Sequence, residues 1–231
     1  FLPPTILKDA VRTEPACAAL FGAKDVVKGV VPAMADTLSQ TFISDDHLRN
    51  CKVAAEDSTL HITAVGPFEF GGPGTRLAFS HPDIFQLRET LRDRGMDVRG
   101  MMIVPMSSSA EVIGFPPIDV HHMNVAYGHL PYWFSWGISE ESQCLPPLGT
   151  LCFGRGFGDY AFHLEKGEVV LAVDGEMLDA RGITLAPGEE KKQLTFWMTF
   201  VLKETHGNGE HLRRLSSVYV MNPYSFAGMM A

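Results

Sequence analysis

The stretch that decides the fold runs from Gln193 to Lys203 and reads QLTFWMTFVLK. Large apolar side chains recur at every second position, and the set that shares this spacing is Leu194, Phe196, Met198, Phe200 and Leu202. Thr195, Thr199 and Lys203 occupy alternate positions. A period of two is typical of a β-strand that rests one face on a core. The stretch therefore predicts a strand with its apolar face buried.

Segments of the same kind occur on both sides of this stretch. The further predicted strands are 60–65, 97–106, 118–127, 168–174 and 215–221. Gly-Pro and Gly-rich turns separate several of them, for example at Gly66-Pro67, where we expect the first strand to end. Short strands with few intervening helices are typical of an antiparallel sandwich or jelly roll. We therefore predict a mainly β fold, an antiparallel jelly-roll-type β-sandwich over residues 58–231.

The first 57 residues have a different pattern. Apolar residues at helix-like spacing predict short helices over 14–21, 23–38 and 44–55, and one helix over 82–94 inside the sandwich region. We expect residues 1–57 to form a helical N-terminal segment ahead of the 58–231 domain. The apolar stripe of this segment must be buried against the sandwich or against a partner.

Composition and charge restrict the class of protein. The chain has 231 residues, of which 45% are hydrophobic and 20% charged, as in globular proteins. Its net charge of −8, without any long Lys/Arg cluster, disfavours nucleic acid and anionic membrane surfaces as partners. The longest apolar stretch, 101–106, is far shorter than the roughly 20 residues of a membrane-spanning helix. We expect an acidic, soluble protein.

The cysteines bear on the cellular compartment. The chain has four, Cys17, Cys51, Cys144 and Cys152, which permit three pairings if all are oxidised. Their even number fits an extracellular or organelle-lumen location, which we favour, and reduced cysteines in the core are the alternative. They include no Cys-x-x-Cys pair, so a thiolate zinc site has no support.

One window of the sequence is suited to bind a metal. Residues 100–137 contain only two formal charges but three histidines, His121, His122 and His129. Neutral imidazole is the commonest metal ligand in proteins. Neighbours on a regular strand point to opposite faces, so His121 and His122 reach one ion only at a bulge or a strand end. Two hypotheses stay open: packed, hydrogen-bonded histidines, or a metal site of His121, His122 and His129.

The run Val120-His121-His122-Met123 resembles the His-His-Met element of the copper type II, ascorbate-dependent monooxygenases, the peptidylglycine hydroxylating family, whose domains are jelly rolls. The wider order, with Gly66-Pro67-Phe68 before it and Leu178-Asp179-Ala180-Arg181-Gly182 after it, also resembles related plant stress/nodulin-type proteins. The resemblance implies a jelly roll and copper as the cofactor.

The sequence departs from this family at two metal ligands. In the family, a third histidine from a later strand joins the adjacent pair, and Asp174 stands roughly at that position here. The family's second copper requires a His-x-His element, which does not occur in this chain. We therefore assign no catalytic residues and expect enzyme activity to have been lost or never present.

An aromatic segment suggests a surface for a protein partner. Tyr132, Trp133 and Trp136 fall in a Pro/Gly-bounded segment that we expect to be a loop. Such side chains dominate interface hot spots, although a loop packed onto the sandwich is an equal alternative. The favoured hypothesis is a structural or interaction protein on a copper-monooxygenase-like scaffold, acting as a subunit of a larger assembly. The alternatives are a copper- or zinc-dependent oxidoreductase using His121, His122 and His129, and a small-ligand binder between the sheets.

Overall fold

The computed structural model describes residues 4–22, 25–29, 31–32, 41–115, 117–128, 130–137, 154–156, 159–167, 170–181, 193–206 and 212–215. Over these ranges the chain is mainly β, with two sheets packed as a sandwich and a short helix near the N-terminus. The prediction of a mainly β sandwich with a short N-terminal helix is therefore confirmed. The jelly-roll topology stays a prediction.

Fourteen strands, two α-helices and two 3-10 helices, Pro15–Cys17 and Asp45–His47, make up the described secondary structure. The α-helices are α1 (Pro4–Thr13) and α2 (Arg88–Asp93). The strands are β1 (Val27–Gly29), β2 (Val31–Pro32), β3 (Thr41–Phe42), β4 (Leu48–Ala54), β5 (Ser58–Phe70), β6 (Thr75–His81), β7 (Met96–Met106), β8 (Ile118–Tyr127), β9 (Leu130–Gly137), β10 (Gly154–Gly156), β11 (Tyr160–Leu164), β12 (Leu171–Asp179), β13 (Thr195–Thr205) and β14 (Arg213–Arg214).

The two sheets are mixed, although most of their pairs are antiparallel. The first has the order β1-β5-β13-β7-β11-β14, with β4 also beside β5 and β10 beside β7. The second has the order β2-β6-β12-β8-β9, with β3 also beside β6. The β1–β5, β3–β6 and β11–β14 pairs are parallel, whereas the sequence predicted an antiparallel sandwich without any parallel pair being identified.

Strand β13 confirms the prediction from its alternating sequence. It pairs with β5 on one side and β7 on the other, and Phe196, Met198, Phe200 and Leu202 are all buried. On its second face Trp197, Thr199 and Val201 are buried as well, and the ring of Phe21 from the N-terminal segment contacts Trp197 edge-on, with centroids 5.7 Å apart. A central strand covered on both faces buries more apolar surface than the alternation alone predicted.

The structure corrects the interruption expected at Gly66-Pro67. Strand β5 continues through these two residues to Phe70. They lie opposite the single residue Trp197, between the pairs Phe68–Phe196 and Val65–Met198, and so form a β-bulge. A proline has no N–H to donate, and a bulge is one of the places where a sheet tolerates it.

Where the structure describes residues 23–38 and 44–55, the helices expected there were wrong. Strand β4 pairs with β5 from Leu48–Val65 to Ala54–Thr59, and β1 and β2 also fall within the first 57 residues. Residue 57 therefore does not divide helix from sheet. The seven-residue pairing with β5 outweighs the helix-like spacing of a short segment, as tertiary context commonly does.

Three other predicted elements differ in extent. Of the helix expected over 82–94, only α2 is helical, and the strand expected over 168–174 is β12, which begins and ends later. Of the helix expected over 14–21, only a 3-10 turn at Pro15–Cys17 is present. Helix α1 was not predicted. The strand expected over 215–221 lies outside the described residues after Leu215.

A disulfide ties the N-terminal segment to the first sheet. Cys17 in the 3-10 turn bonds Cys51 on β4, with an S–S distance of 2.10 Å and a sequence separation of 34. Cys144 and Cys152 lie outside the described residues.

None of the helices in the described part of the chain has the length and apolarity that a membrane span requires.

Candidate metal centre

His121 and His122 lie on β8, which the second sheet holds between β12 and β9. Val125, Met123 and Val120 of this strand are buried in the core, whereas both histidines are only partly buried. His122 stands directly opposite Glu176 on β12. Because residues directly opposite each other share a face of the sheet, Glu176 is on the same side as His122.

A bulge on β8 brings the second imidazole to this side. Glu176 pairs with His122, but the next registered pair is Leu178–Asp119. Two residues of β8, Val120 and His121, therefore lie opposite the single residue Met177. Such a bulge breaks the alternation of faces. It supplies the irregularity that two adjacent histidines need in order to converge.

The two imidazoles face each other at a distance suited to a metal ion. The Nδ1 atoms of His121 and His122 are 3.3 Å apart. Nitrogens bound at about 2.0–2.1 Å to one tetrahedral ion are separated by roughly 3.3–3.4 Å. Without metal, the same pair forms a long N–H···N hydrogen bond, and a metal ion would displace its proton.

Glu176 provides a third donor. Its Oε1 lies 3.9 Å from His121 Nδ1, and one donor atom from each of His121, His122 and Glu176 fits within 4.8 Å of the others. A small rotation of the carboxylate would bring it to bonding distance of an ion between the imidazoles. His121 is 38% exposed and Glu176 13%, so the group is open to solvent on one side.

A buried arginine holds the carboxylate of this group. Arg76 on β6 is 4% exposed, and its Nη1 is 3.4 Å from both Glu176 oxygens. Asp119 and Asp174 flank the group on the same face, as their register with Leu178 and Asn124 shows. With Glu176 they add three negative charges against one arginine, which favours a cation.

Met123, the third residue of the His-His-Met motif, is not part of the group. Its side chain is fully buried in the core over Gly175 of β12. A Cβ atom on Gly175 would lie 2.1 Å from Met123 Sδ and 3.1 Å from the carbonyl oxygen of His122. Gly175 thus lets β8 and β12 approach closely next to the histidine pair.

The third ligands considered from sequence differ from the one found. His129 lies outside the described residues. Asp174 accepts a hydrogen bond from Asn124 Nδ2 at 3.1 Å and is one step along the sheet from the histidines. Glu176 takes the place expected for Asp174, two residues further along β12. The period of two allows this shift on one face, but the sequence does not reveal the register that decides it.

The aromatic residues considered for a partner surface lie on a strand and not in a loop. The segment 130–137 is β9, paired with β8. The indole of Trp133 is buried, with ring centroids 5.9 Å from Tyr127 and 5.5 Å from Phe162. The side chains of Tyr132 and Trp136 lie outside the described part of the structure. Trp133 therefore packs within the fold.

No protein-family model, curated protein or solved structure matches the chain. The resemblance to copper monooxygenases therefore rests on the sequence motifs alone and stays a hypothesis.

A second cluster of the same residue types, missed from sequence, occurs in the first sheet. His61 Nε2 lies 2.7 Å from Glu204 Oε2, both side chains are about 95% buried, and Arg94 Nη1 donates to the other Glu204 oxygen. Although burial opposes it, hydrogen bonding to His61 and Arg94 lowers the pKa of Glu204 to about 2. His61 borders a cavity of about 260 Å³ and Glu204 an open groove of about 450 Å³.

Proposed function

We propose that this protein binds a divalent transition-metal ion through His121 Nδ1, His122 Nδ1 and Glu176. The observation that carries the proposal is the 3.3 Å separation of the two Nδ1 atoms at the β8 bulge, with Glu176 Oε1 3.9 Å from one of them. Adjacent residues of a regular strand would diverge, so the bulge has a specific consequence here. It creates a binding group that a regular ladder would separate.

The donor set indicates which metals the centre takes. Imidazole suits zinc, copper, iron and nickel, whereas magnesium and calcium prefer sites made only of oxygen. Among divalent ions, Cu(II) binds most tightly to such ligands, with Zn(II) below it. The resemblance to copper proteins, drawn from the His-His-Met motif, favours copper in the same way. Copper and zinc are therefore the ions to test first.

Three protein donors leave a coordination position open. Structural zinc sites are closed by four protein ligands, whereas catalytic sites hold three and a water or substrate. The exposed side of His121 gives a small molecule access to that position. The centre is thus suited to bind and polarise a small oxygen- or nitrogen-donor ligand. The sequence-based hypotheses of a structural subunit and of an oxidoreductase stay predictions. Trp133 does not support the structural subunit, because its side chain is buried and offers no surface to a partner.

Calorimetric titration with Cu(II) and Zn(II), combined with elemental analysis, tests the proposal. Wild type should bind one ion per chain at this centre, and His121→Ala and His122→Ala should each weaken binding by at least about 100-fold, as loss of a direct ligand exceeds the 10–100-fold typical of outer partners. His163→Ala is the matched control. His163 Nδ1 is hydrogen-bonded to Asp97 Oδ1 at 2.8 Å, and this pair is not part of the proposed metal centre. Unchanged affinity in both His121→Ala and His122→Ala would contradict the proposal.

A further inference from the structure

We infer that Arg76 determines how Glu176 binds the metal: it restricts the carboxylate to one oxygen and so keeps a position on the ion free for an exogenous oxygen or nitrogen donor. The inference rests on the proposed metal centre and goes beyond it, because it identifies the residue that controls access of a ligand. Arg76 is a positioning residue in this account, since it acts on the metal only through Glu176.

The backbone fixes Arg76 beside the carboxylate. Arg76 lies on β6, where it is in register with Val31 of β2 on one side and Leu178 of β12 on the other. Its side chain is 4% exposed, so the guanidinium has little room to turn away. A guanidinium is always charged, and a buried charge needs a paired one. Glu176 provides an opposite charge on the same face of the sheet.

The contact distances indicate which binding mode Arg76 blocks. Its Nη1 is equally far, 3.4 Å, from Oε1 and Oε2 of Glu176 and therefore lies on the plane that bisects the carboxylate. A metal ion chelated by both oxygens must lie on the same plane. With metal–oxygen bonds of about 2.0–2.2 Å, that ion and Nη1 would be within roughly 4 Å of each other. Two cations at this distance repel, so chelation is disfavoured.

One-oxygen binding avoids this repulsion. Oε1 is the oxygen that lies toward His121 Nδ1, at 3.9 Å, so the metal can take it while Oε2 stays with Arg76. The ion then has two imidazole donors and one carboxylate oxygen. A chelating carboxylate would instead supply a second oxygen and fill the position that an exogenous ligand needs. Removing Arg76 should therefore close the centre without removing any metal ligand.

The test uses the Cu(II)-loaded protein and pyridine as the exogenous ligand. Because pyridine is neutral, losing the positive charge of Arg76 does not by itself change the affinity for it. Three variants are compared with wild type: Arg76→Met, Arg76→Lys and Arg181→Met. Arg181→Met is the matched control, because Arg181 forms a buried ion pair outside the metal group. Its Nε lies 2.8 Å from Oδ1 of Asp179, which is on the same strand as Glu176. Pyridine binding is read from the Cu(II) electron paramagnetic resonance spectrum.

We expect Arg76→Met to keep one Cu(II) per chain but to bind pyridine at least about tenfold more weakly, the size typical of outer partners of metal ligands. Arg76→Lys should restore most of the affinity, and Arg181→Met should match wild type. If Arg76→Met bound pyridine as tightly as wild type does, the inference would be overturned, while the proposed metal centre would stand. Absence of Cu(II) binding in wild type would instead overturn the proposed function.

A measurement on wild type covers the case in which Arg76→Met does not fold. The infrared difference spectrum between Cu(II)-loaded and metal-free protein separates the two carboxylate modes, because the gap between antisymmetric and symmetric stretches is wide for one-oxygen binding and narrow for chelation. Glu176→Gln identifies the bands. A wide gap supports the role of Arg76, and a narrow gap overturns it.

Discussion

The two sheets each contain a cluster of histidine, glutamate and arginine, but the clusters differ in what the imidazole contacts. In the first sheet, His61 Nε2 contacts Glu204 directly at 2.7 Å, and both side chains are buried. In the second, His121 and His122 face each other at 3.3 Å, Glu176 is 3.9 Å away, and one side is open to solvent. In the first, the carboxylate already has His61 and Arg94 as close partners, and the second has room for an added ion.

The register of the strands explains this difference. On the β5 side of β13, His61 is opposite Leu202 and Thr59 is opposite Glu204 in regular register, while β7 has its bulge at Arg99 on the other side. A regular ladder presents one side chain per step on each face, so the single imidazole pairs with the nearby carboxylate. The β8 bulge presents two imidazoles to the same face. The same residue types thus stabilise the fold in one sheet and form a candidate metal centre in the other.

The largest expected effect is on stability, at the first cluster. Glu204→Gln removes the charge that His61 and Arg94 contact and should lower the free energy of unfolding at neutral pH by about 3 kcal/mol. Glu176→Gln should cost only about 1 kcal/mol, because the Arg76 contacts are long at 3.4 Å. Urea denaturation of the metal-free proteins measures both. Equal losses in the two variants would mean that the clusters do not differ in this way.

The same glutamate should make stability depend on pH in acid. The pKa of Glu204 is lowered from 4.5 to about 2, which corresponds to about 3 kcal/mol. A depressed folded-state pKa contributes stability that is complete above the unfolded value of 4.5 and is lost as pH falls toward 2. Wild type should therefore lose stability over this range more steeply than Glu204→Gln. Parallel unfolding curves against pH would contradict the assignment.

Metal should stabilise the protein through the second cluster only. At 100 times its dissociation constant, Zn(II) should add about 2.7 kcal/mol. For a domain of this size, that raises Tm by about 5–11 °C. His122→Ala should abolish the rise, whereas His61→Ala should start from a lower Tm and retain it. Differential scanning calorimetry distinguishes these outcomes, and a full rise in His122→Ala would place the ion elsewhere.

The smallest expected effect concerns the approach of β8 to β12. Gly175→Ala places a Cβ 3.1 Å from the His122 carbonyl oxygen and against the buried sulfur of Met123, and such overpacking typically costs about 1–3 kcal/mol. It should also weaken metal binding several-fold. Gly114→Ala, with no atom within 4 Å of the new Cβ, is the control. If both variants bind metal like wild type, the close approach at Gly175 does not shape the centre.

Much of the sheet structure could be predicted from sequence because apolar alternation encodes it. Strand β8 has the bounds that were expected, and β13 differs by two residues at each end. The edge strand β4 was missed, because the helix-like spacing of its apolar residues was followed instead of the short hairpin connection at 55–57 through which it pairs with β5. The three parallel pairs, β1–β5, β3–β6 and β11–β14, were not predicted, because each joins strands that are distant in sequence and leave no local signal.

The candidate site was predictable only in part. The unusual pair His121-His122 in a nearly uncharged window identified two donors, and the need for a bulge followed from strand geometry. Glu176 was missed because which residue of β12 faces His122 depends on register. The His61–Glu204 pair joins residues 143 positions apart and has no local motif, so sequence alone could not reveal it.

The central claim is that His121 and His122 bind one ion through their Nδ1 atoms. Long-range ¹H–¹⁵N spectra of protein labelled at its nine histidines, recorded before and after one equivalent of Zn(II), test it most directly. The account predicts that two imidazoles acquire the ¹⁵N shifts of Nδ1 ligation, and that in His121→Ala and in His122→Ala the remaining imidazole of the pair no longer acquires them. Ligation through Nε2, or shifts confined to other histidines, would contradict it.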